Sequence, residues 1–205
     1  MPCASMAMKA TSTTLNLGTN MASAPAKPAG LVLAGGASRR MGRDKARLPI
    51  KGKALCAIMA ETLRAAGCDP VLISGPGGIK DMYPGQGPLA GIHAAFDHLG
   101  KAEAMVIVPV DMPALSAQSL KALIEANGEV VLYAGQSLPL KLANVTHIRQ
   151  RLEAILSEKG GDWSIRNFVR GLKARPLDAA GISARELVNL NTPDDVKTLE
   201  KAHEA

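Results

Sequence analysis

Four segments of this chain are apolar at every position: residues 31–34, 71–73, 105–108 and 130–132. A strand with one wetted face alternates polar and apolar residues, whereas an unbroken apolar run is covered on both faces. Stretches of helical periodicity separate the runs. Residues 52–66 carry Leu55, Ile58, Met59 and Leu63 at helical spacing and stop at Gly67, a residue suited to the left-handed position after a helix. Residues 88–99 open on Pro88 and close before Gly100, and Ser116 can cap a helix running to Ala126. Residues 138–143 are a further strand candidate, while 145–157 and 163–172 read as helices. Thr192-Pro193-Asp194-Asp195 is a helix start: hydroxyl cap, proline, then two carboxylates near the positive dipole end. Alternating units of this kind predict a three-layer α/β/α sandwich around a mostly parallel sheet. In such sheets ligands sit beyond the carboxyl ends of the strands. The loop after Ala34 and the segment after Val108 both lie there.

The length of 205 residues suits one sizeable core. Hydrophobic residues make up 47% of the chain but aromatics only 2%, so that core is aliphatic. Residues 1–28 are rich in Ala, Ser, Thr, Met and Pro and contain no acid. They lack the arginines of a transit peptide and the apolar centre of a signal peptide. A disordered tail is expected there, leaving 29–205 as a single domain. Cys3, Cys56 and Cys68 have no C-x-x-C spacing, and no histidine pairs with a cysteine at metal-ligand spacing. This argues against structural zinc and for a reducing, cytoplasmic setting. No apolar run reaches the length of a bilayer span. The net charge of +6 favours an anionic partner. There is no basic helix repeat, aromatic stacking platform or zinc-finger spacing, so a small phosphorylated ligand fits better than nucleic acid.

The basic excess clusters behind the first apolar run. Leu33-Ala34-Gly35-Gly36 leads into a loop carrying Arg39, Arg40, Arg43, Lys45 and Arg47 against one acid, Asp44. Glycines let backbone N–H groups turn inward on a ligand, and the cations neutralise what is held. Neither G-x-x-x-x-G-K-[ST] nor G-x-G-x-x-G fits, which excludes the common P-loop and dinucleotide fingerprints. The alternative is a glycine-rich surface turn with solvated arginines. The third run ends in Pro109-Val110-Asp111-Met112-Pro113. A carboxylate there suits Mg²⁺, which takes one or two protein carboxylates and completes its shell with phosphate and water; an Asx-turn without metal is the other reading. Gly85-Gln86-Gly87-Pro88-Leu89-Ala90-Gly91 either brings backbone donors to an anion or nucleobase, or is a loop-to-helix junction with a close-packing Gly91. Asn189-Leu190-Asn191-Thr192-Pro193 reads first as a turn and helix cap, with amides that could also line a pocket.

These motifs, in this order over roughly residues 30–199, resemble those of the MobA-like nucleotidyltransferases. The double glycine and the terminal Asn-x-Asn-Thr-Pro resemble its guanylyl branch. The resemblance implies a Rossmann-like nucleotidyltransferase fold. It also implies Mg²⁺-dependent transfer of GMP from GTP to the phosphate of molybdopterin, releasing pyrophosphate. Leu33, Ala34, Gly35, Gly36, Gly87 and Gly91 would bind the nucleotide, and Arg40 and Lys45 its phosphates. Asp111 would hold the metal, Asp81 would contact the nucleotide, and Asn189 and Asn191 would face the pterin. Arg40, Lys45 and Asp111 are the expected catalytic set. A cofactor-insertion protein or molybdoenzyme chaperone is a conceivable partner. The chain departs from the pattern after the second run, where Ser74-Gly75 stands in place of an asparagine, and in a sparse 136–142 segment. Other readings are a relative using CTP or another phosphorylated acceptor, and a GTP-binding module without turnover. A nucleotide panel scored by pyrophosphate release separates them.

Overall fold

The computed structural model describes residues 26–35, 49–50, 52–75, 77–190 and 195. Its main sheet has six strands: β1 (Ala29–Leu33), β4 (Val71–Ser74), β5 (Ala104–Pro109), β6 (Val130–Tyr133), β7 (Leu140–Ala143) and β8 (Ala174–Leu177), in the order β4-β1-β5-β7-β6-β8. β1 runs parallel to β4 and β5, and β6 parallel to β8; β7 alone runs against its neighbours β5 and β6. The sheet is therefore mostly parallel, as the apolar runs predict. A separate short ribbon pairs β2 (Pro49–Ile50) with β3 (Lys53–Ala54).

Alternate residues of the strands feed two cores. Leu31, Leu33, Met105, Ile107, Leu140 and Leu142 face α2 (Gly87–Phe96), α4 (Thr146–Ser157) and α5 (Ile165–Arg170). Val32, Val106, Val108, Val131 and Tyr133 face α1 (Leu55–Ala65) and α3 (Ala117–Glu125). Both faces of the sheet are covered, which is why β1, β5 and β6 show no polar alternation. α1 stops where Gly67 predicts, at φ +102; the N–H groups of Gly67 and Cys68 return to the carbonyls of Arg64 and Leu63. Cys68 is enclosed there, and burial pushes its thiol up to about 12, so it packs as an apolar side chain.

Several boundaries differ from the sequence expectation. α1 begins at Leu55, because Gly52 turns at φ +80 and Lys53–Ala54 pairs with the preceding ribbon. α2 ends at Phe96, which lets the chain turn and seat Leu99 in the core. α5 starts only after Ser164, whose hydroxyl accepts the Asn167 N–H at 3.1 Å, so Trp163 lies outside the helix. β8 reads poorly as a strand because Arg175 and Pro176 interrupt it; at a sheet edge the missing proline N–H costs nothing. Residues 1–25 of the expected tail and most of the Thr192-Pro193 helix start lie outside the described residues. No described helix is long and apolar enough to cross a membrane.

Both ends of α3 are satisfied by residues remote in sequence. Ser116 caps locally, its hydroxyl accepting the Ser119 N–H at 3.1 Å. Glu186 then accepts the Ser116 N–H at 2.9 Å and the Ser119 hydroxyl at 2.5 Å. This is the work of a capping-box carboxylate, supplied from a distant segment. At the other end Lys141, buried on β7, donates to the carbonyls of Ile124 and Ala126, placing a cation at the negative end of the helix dipole.

Desolvation pushes the Glu186 carboxyl up, but hydrogen bonds from Ser119 and Ser116 outweigh it and hold the group below its usual 4.5. A depressed acid stabilises the fold above its unfolded value and loses that effect as pH falls through the folded one. Glu186→Gln is therefore expected to cost about 1 kcal/mol at neutral pH, after discounting for its partial exposure. The gap to wild type should close on titration to below pH 4.5. Urea unfolding of both proteins across that pH range checks this.

Candidate active site

The carboxyl ends of β4, β1 and β5 lie side by side, and hydrogen bonds extend the pairing beyond the strands. Ala34 N–H donates to the Ser74 carbonyl at 3.0 Å, and Val110 N–H donates to the Leu33 carbonyl at 3.2 Å. Leu33 is buried, Ala34 half-buried and Gly35 exposed, so the chain reaches solvent at the start of the glycine loop. Asp111 follows Val110 in the adjoining turn and is half-buried. Its carbonyl accepts the Leu190 N–H at 2.7 Å. Two motifs far apart in sequence, Val110-Asp111 and Asn189-Leu190, thus meet beside the end of β1. Asn189 itself is exposed. Gly36, Arg40, Lys45 and Asn191 lie outside the described residues.

β4 is followed by a glycine that none of the sequence motifs includes. Gly75 has φ +115, and a Cβ on it would lie 2.7 Å from the Gly35 nitrogen and 2.9 Å from the Ala34 carbonyl carbon. The two strand-end loops touch backbone to backbone, which only glycine permits. The signal was available in Gly75-Pro76-Gly77-Gly78, a second glycine cluster directly behind a buried strand. Gly91 serves a related purpose. A Cβ there would lie 2.7 Å from the Ser74 hydroxyl oxygen and 3.0 Å from the Ser74 Cβ, so α2 packs tightly over the end of β4. Gly91 is buried, whereas Gly87, one turn earlier at φ +68, is exposed. No side chain caps α2, and its first turn carries no acid. Its free N–H groups and positive dipole end therefore stand beyond β4, beside the glycine loops.

The segment between β4 and α2 supplies Asp81. The residue is half-buried, yet one carboxylate oxygen, Oδ1, is fully enclosed without a hydrogen-bond partner. Desolvation raises its pKa above the ordinary 3.8. Gln86 Oε1 and the indole Nε1 of Trp163 are likewise enclosed and unpartnered. Trp163 approaches the start of α2: a Cβ on Gly87 would lie 3.9 Å from its carbonyl oxygen. As the only tryptophan in an aromatic-poor chain, it could have been singled out from sequence. Polar atoms left unsatisfied in a folded protein call for a ligand, water or functional reason. Among the described residues, no group of three or more His, Cys, Asp and Glu side chains could hold a metal by itself. The edge offers backbone donors, a helix N-terminus and the Asp111 carboxylate. That donor set fits a hard cation whose remaining ligands come from phosphate and water.

Residues 30–175 match the model of the MobA-like NTP transferase domain. A molybdenum cofactor guanylyltransferase from Xanthomonas euvesicatoria is 37% identical over 170 residues, covering 80% of this chain and 90% of that protein. The chain belongs to the MobA-like NTP transferase family. It is a nucleotidyltransferase. Its fold is shared by the crystal structure of molybdopterin-guanine dinucleotide biosynthesis protein A from Archaeoglobus fulgidus, with a TM-score of 0.66 at 22% identity over 85% of this chain and 98% of that one. A Mycobacterium tuberculosis protein solved in complex with manganese has the same fold, with a TM-score of 0.57 at 20% identity, covering 87% of this chain and all of that one.

In this MobA-like transferase the two strand-end glycines should respond differently to the same change. Gly75→Ala forces a left-handed backbone and a clash with Gly35, and is expected to cost about 1–3 kcal/mol of stability. In Gly35→Ala the new Cβ meets, among the described residues, only the Gly75 Cα, at an ordinary 3.5 Å. Stability should stay near wild type while nucleotide binding weakens, because the methyl group is added to the first exposed residue beyond β1, where the resemblance puts the nucleotide. Thermal melts alongside titration with Mg-GTP separate the two effects.

Proposed function

We propose that the protein transfers GMP from GTP to the phosphate of molybdopterin, in molybdenum cofactor biosynthesis. The observation that carries this reading is the pairing of Val110 N–H with the Leu33 carbonyl, which sets Asp111 against the root of the glycine loop. Curated relatives named molybdenum cofactor guanylyltransferase support the choice of substrates. An oxygen of the acceptor phosphate forms a bond to the α-phosphorus of GTP. The bond from that phosphorus to the β-phosphate oxygen breaks, and pyrophosphate leaves with the electron pair. A phosphate nucleophile is already ionised, so no side chain need remove a proton.

The chain's task is then to bring two anions together and to stabilise the leaving group. The Gly35 backbone N–H and those of the first turn of α2 face the nucleotide. Leu33 and Ala34 line its entry, with Gly87 at the helix start and Gly91 setting how closely that helix approaches. Arg40 and Lys45 neutralise the phosphates. Asp111 holds the divalent ion, for which Mg²⁺ is the proposed occupant; when bound it supplies positive charge against the phosphate oxygens. Asn189, held beside Asp111 through Leu190, and Asn191 face the acceptor. The enclosed Asp81 Oδ1 supports guanine as the base. Guanine presents adjacent N–H donors at N1 and N2, and a carboxylate can accept from both, whereas adenine and cytosine leave it mismatched at a cost of about 1–3 kcal/mol.

Incubation with labelled GTP, Mg²⁺ and molybdopterin should yield labelled dinucleotide cofactor and pyrophosphate; release of neither would sink the reading. Asp111→Asn, nearly isosteric but uncharged, should lower turnover by about two to three orders of magnitude with the fold intact. Near-normal turnover at limiting Mg²⁺ would remove the metal role.

Asp81→Ala should narrow the preference for GTP over ATP and CTP in kcat/KM without lowering the melting temperature, since the wild-type group is desolvated and unpartnered. Lys45→Ala should instead weaken all triphosphates alike. Because burial raises the Asp81 pKa, the wild-type preference for guanine should fade on the acid side at a pH above the ordinary 3.8.

A further inference from the structure

In α2 every residue from Leu89 to Phe96 is buried, and all but His93 are apolar. The His93 Nδ1 is enclosed without a hydrogen-bond partner, as are Asp81 Oδ1, Gln86 Oε1 and Trp163 Nε1. Its Nε2 stands 3.8 Å from Glu153 Oε1 on α4, beyond hydrogen-bond length, and that side chain is exposed. Burying an unpaired imidazole costs stability that an apolar side chain of similar shape would not. The two nitrogens therefore give no structural reason for a histidine at this place. The ring does. It meets the Tyr83 ring edge to face, with centroids 5.2 Å apart and planes at 87°, an arrangement that aromatic pairs favour.

Tyr83 belongs to the segment that joins β4 to α2 and carries Asp81. From Ile79 onward this segment is tied by two backbone bonds. Ile79 N–H donates to the Ile73 carbonyl at 2.8 Å, and Gln86 N–H donates to the Tyr83 carbonyl at 3.3 Å. The first fixes the segment to β4, whereas the second only closes a turn within the segment. Between them, residues 80–82 make no hydrogen bond to another described residue. After Ile79, the next side chain of the segment seated on the core is the half-buried Tyr83. Asp81 lies midway between these two anchors. One anchor is held by the β4 ladder and the other by the His93 ring. Since α2 is packed along its length, His93 refers the Asp81 segment to a rigid helix.

Resting on the reading of Asp81 as the group that selects guanine, we propose that His93 is a positioning residue for nucleobase selection. Its ring holds Tyr83, and Tyr83 holds the Asp81 segment against α2. His93 itself touches no substrate. Its effect is confined to the base, because the groups proposed to hold the phosphates lie on other segments, at Gly35, Arg40, Lys45 and Asp111. The carboxylate that reads the base and the helix turn that faces the nucleotide then take their relative position from one element, α2.

The test compares His93→Leu, Tyr83→Leu, the double variant and Tyr83→Phe in the full chain. Titration with Mg-GTP and Mg-ATP measures binding, and steady-state assays with molybdopterin separate KM from kcat. His93→Leu and Tyr83→Leu should each weaken GTP binding and raise its KM by about three- to tenfold, the weight of one such ring pair. Mg-ATP binding and kcat should stay at wild-type values. The melting temperature of His93→Leu should not fall, since the change also removes an unpartnered buried nitrogen. The double variant should lose no more than either single one, as expected of two residues acting through one contact. Tyr83→Phe keeps the ring and should keep the preference for GTP. A folded His93→Leu with wild-type GTP preference overturns the positioning role and leaves the reading of Asp81 standing. Equal losses for GTP and ATP with a lower melting temperature also overturn it, since His93 would then be a packing residue alone, and so do additive losses in the double variant. A wild-type protein without preference for GTP overturns the reading of Asp81 and the role of His93 together.

Discussion

β1 has no free side. Strands β4 and β5 pair with its two edges, and helices cover both its faces. Every residue from Ala29 to Leu33 is buried. A backbone confined in this way has one exit, through the carboxyl end, and the first exposed residue there is Gly35. The bonds from Ala34 to Ser74 and from Val110 to Leu33 carry the rigidity of the ladder one residue past the strands. Everything proposed for the site depends on this constraint. The glycine loop starts from a fixed point, and Asp111 stands at a fixed offset from it because both strands share one register.

The same confinement explains why glycine recurs at the edge. Parallel strands at sheet spacing bring their loops close together, and a helix crossing back over the sheet must clear the neighbouring strand end. Gly75 answers the first demand and Gly91 the second. These glycines are architectural, but their effect reaches the edge proposed to hold the nucleotide. With Cβ atoms removed, backbone donors from β1 and α2 can converge on one volume. Gly35 differs: among the described residues its Cβ would meet only the Gly75 Cα, at an ordinary 3.5 Å.

Much of this architecture was legible in the sequence because burial on both faces leaves an unmistakable pattern. The runs at 31–34, 71–73, 105–108 and 130–132 each became a strand, and Gly67 and Ser116 marked the helix boundaries they promised. β8 was not legible, since an edge strand is half wet and tolerates Arg175 and Pro176. The helix at 163–172 read too long because Trp163 and Leu172 are apolar for tertiary reasons: both pack on the core from outside the helix. At the site, Gly35 and Asp111 announced themselves by following apolar runs. Gly75 also follows an apolar run, but no motif of the resembling family includes it. The solvation state of Asp81 could not be read at all. An aspartate in a polar loop looks solvated in sequence, and only packing encloses one of its oxygens.

The segment carrying Asn189 shows how a site can rest on bonds that no local pattern reveals. Residues 184–190 form little regular structure and are largely exposed, so nothing local fixes their place. Two contacts do so. Glu186 binds the start of α3 through Ser116 and Ser119, and Leu190 donates to Asp111. Both anchors lie on the stretch 111–119, which directly follows β5. The carboxylate proposed to hold metal and the amide proposed to face the acceptor are therefore referred to the same strand end. Helix α3 is the rigid member of this arrangement: Lys141 secures its far end from within the sheet, and the Tyr133 hydroxyl donates to the Ser119 carbonyl at 2.7 Å. Loss of the Glu186 contact would release the segment from α3 while leaving β5 in place. Its first functional consequence would be misplacement of the acceptor relative to Asp111, with nucleotide binding at the glycine loop less affected.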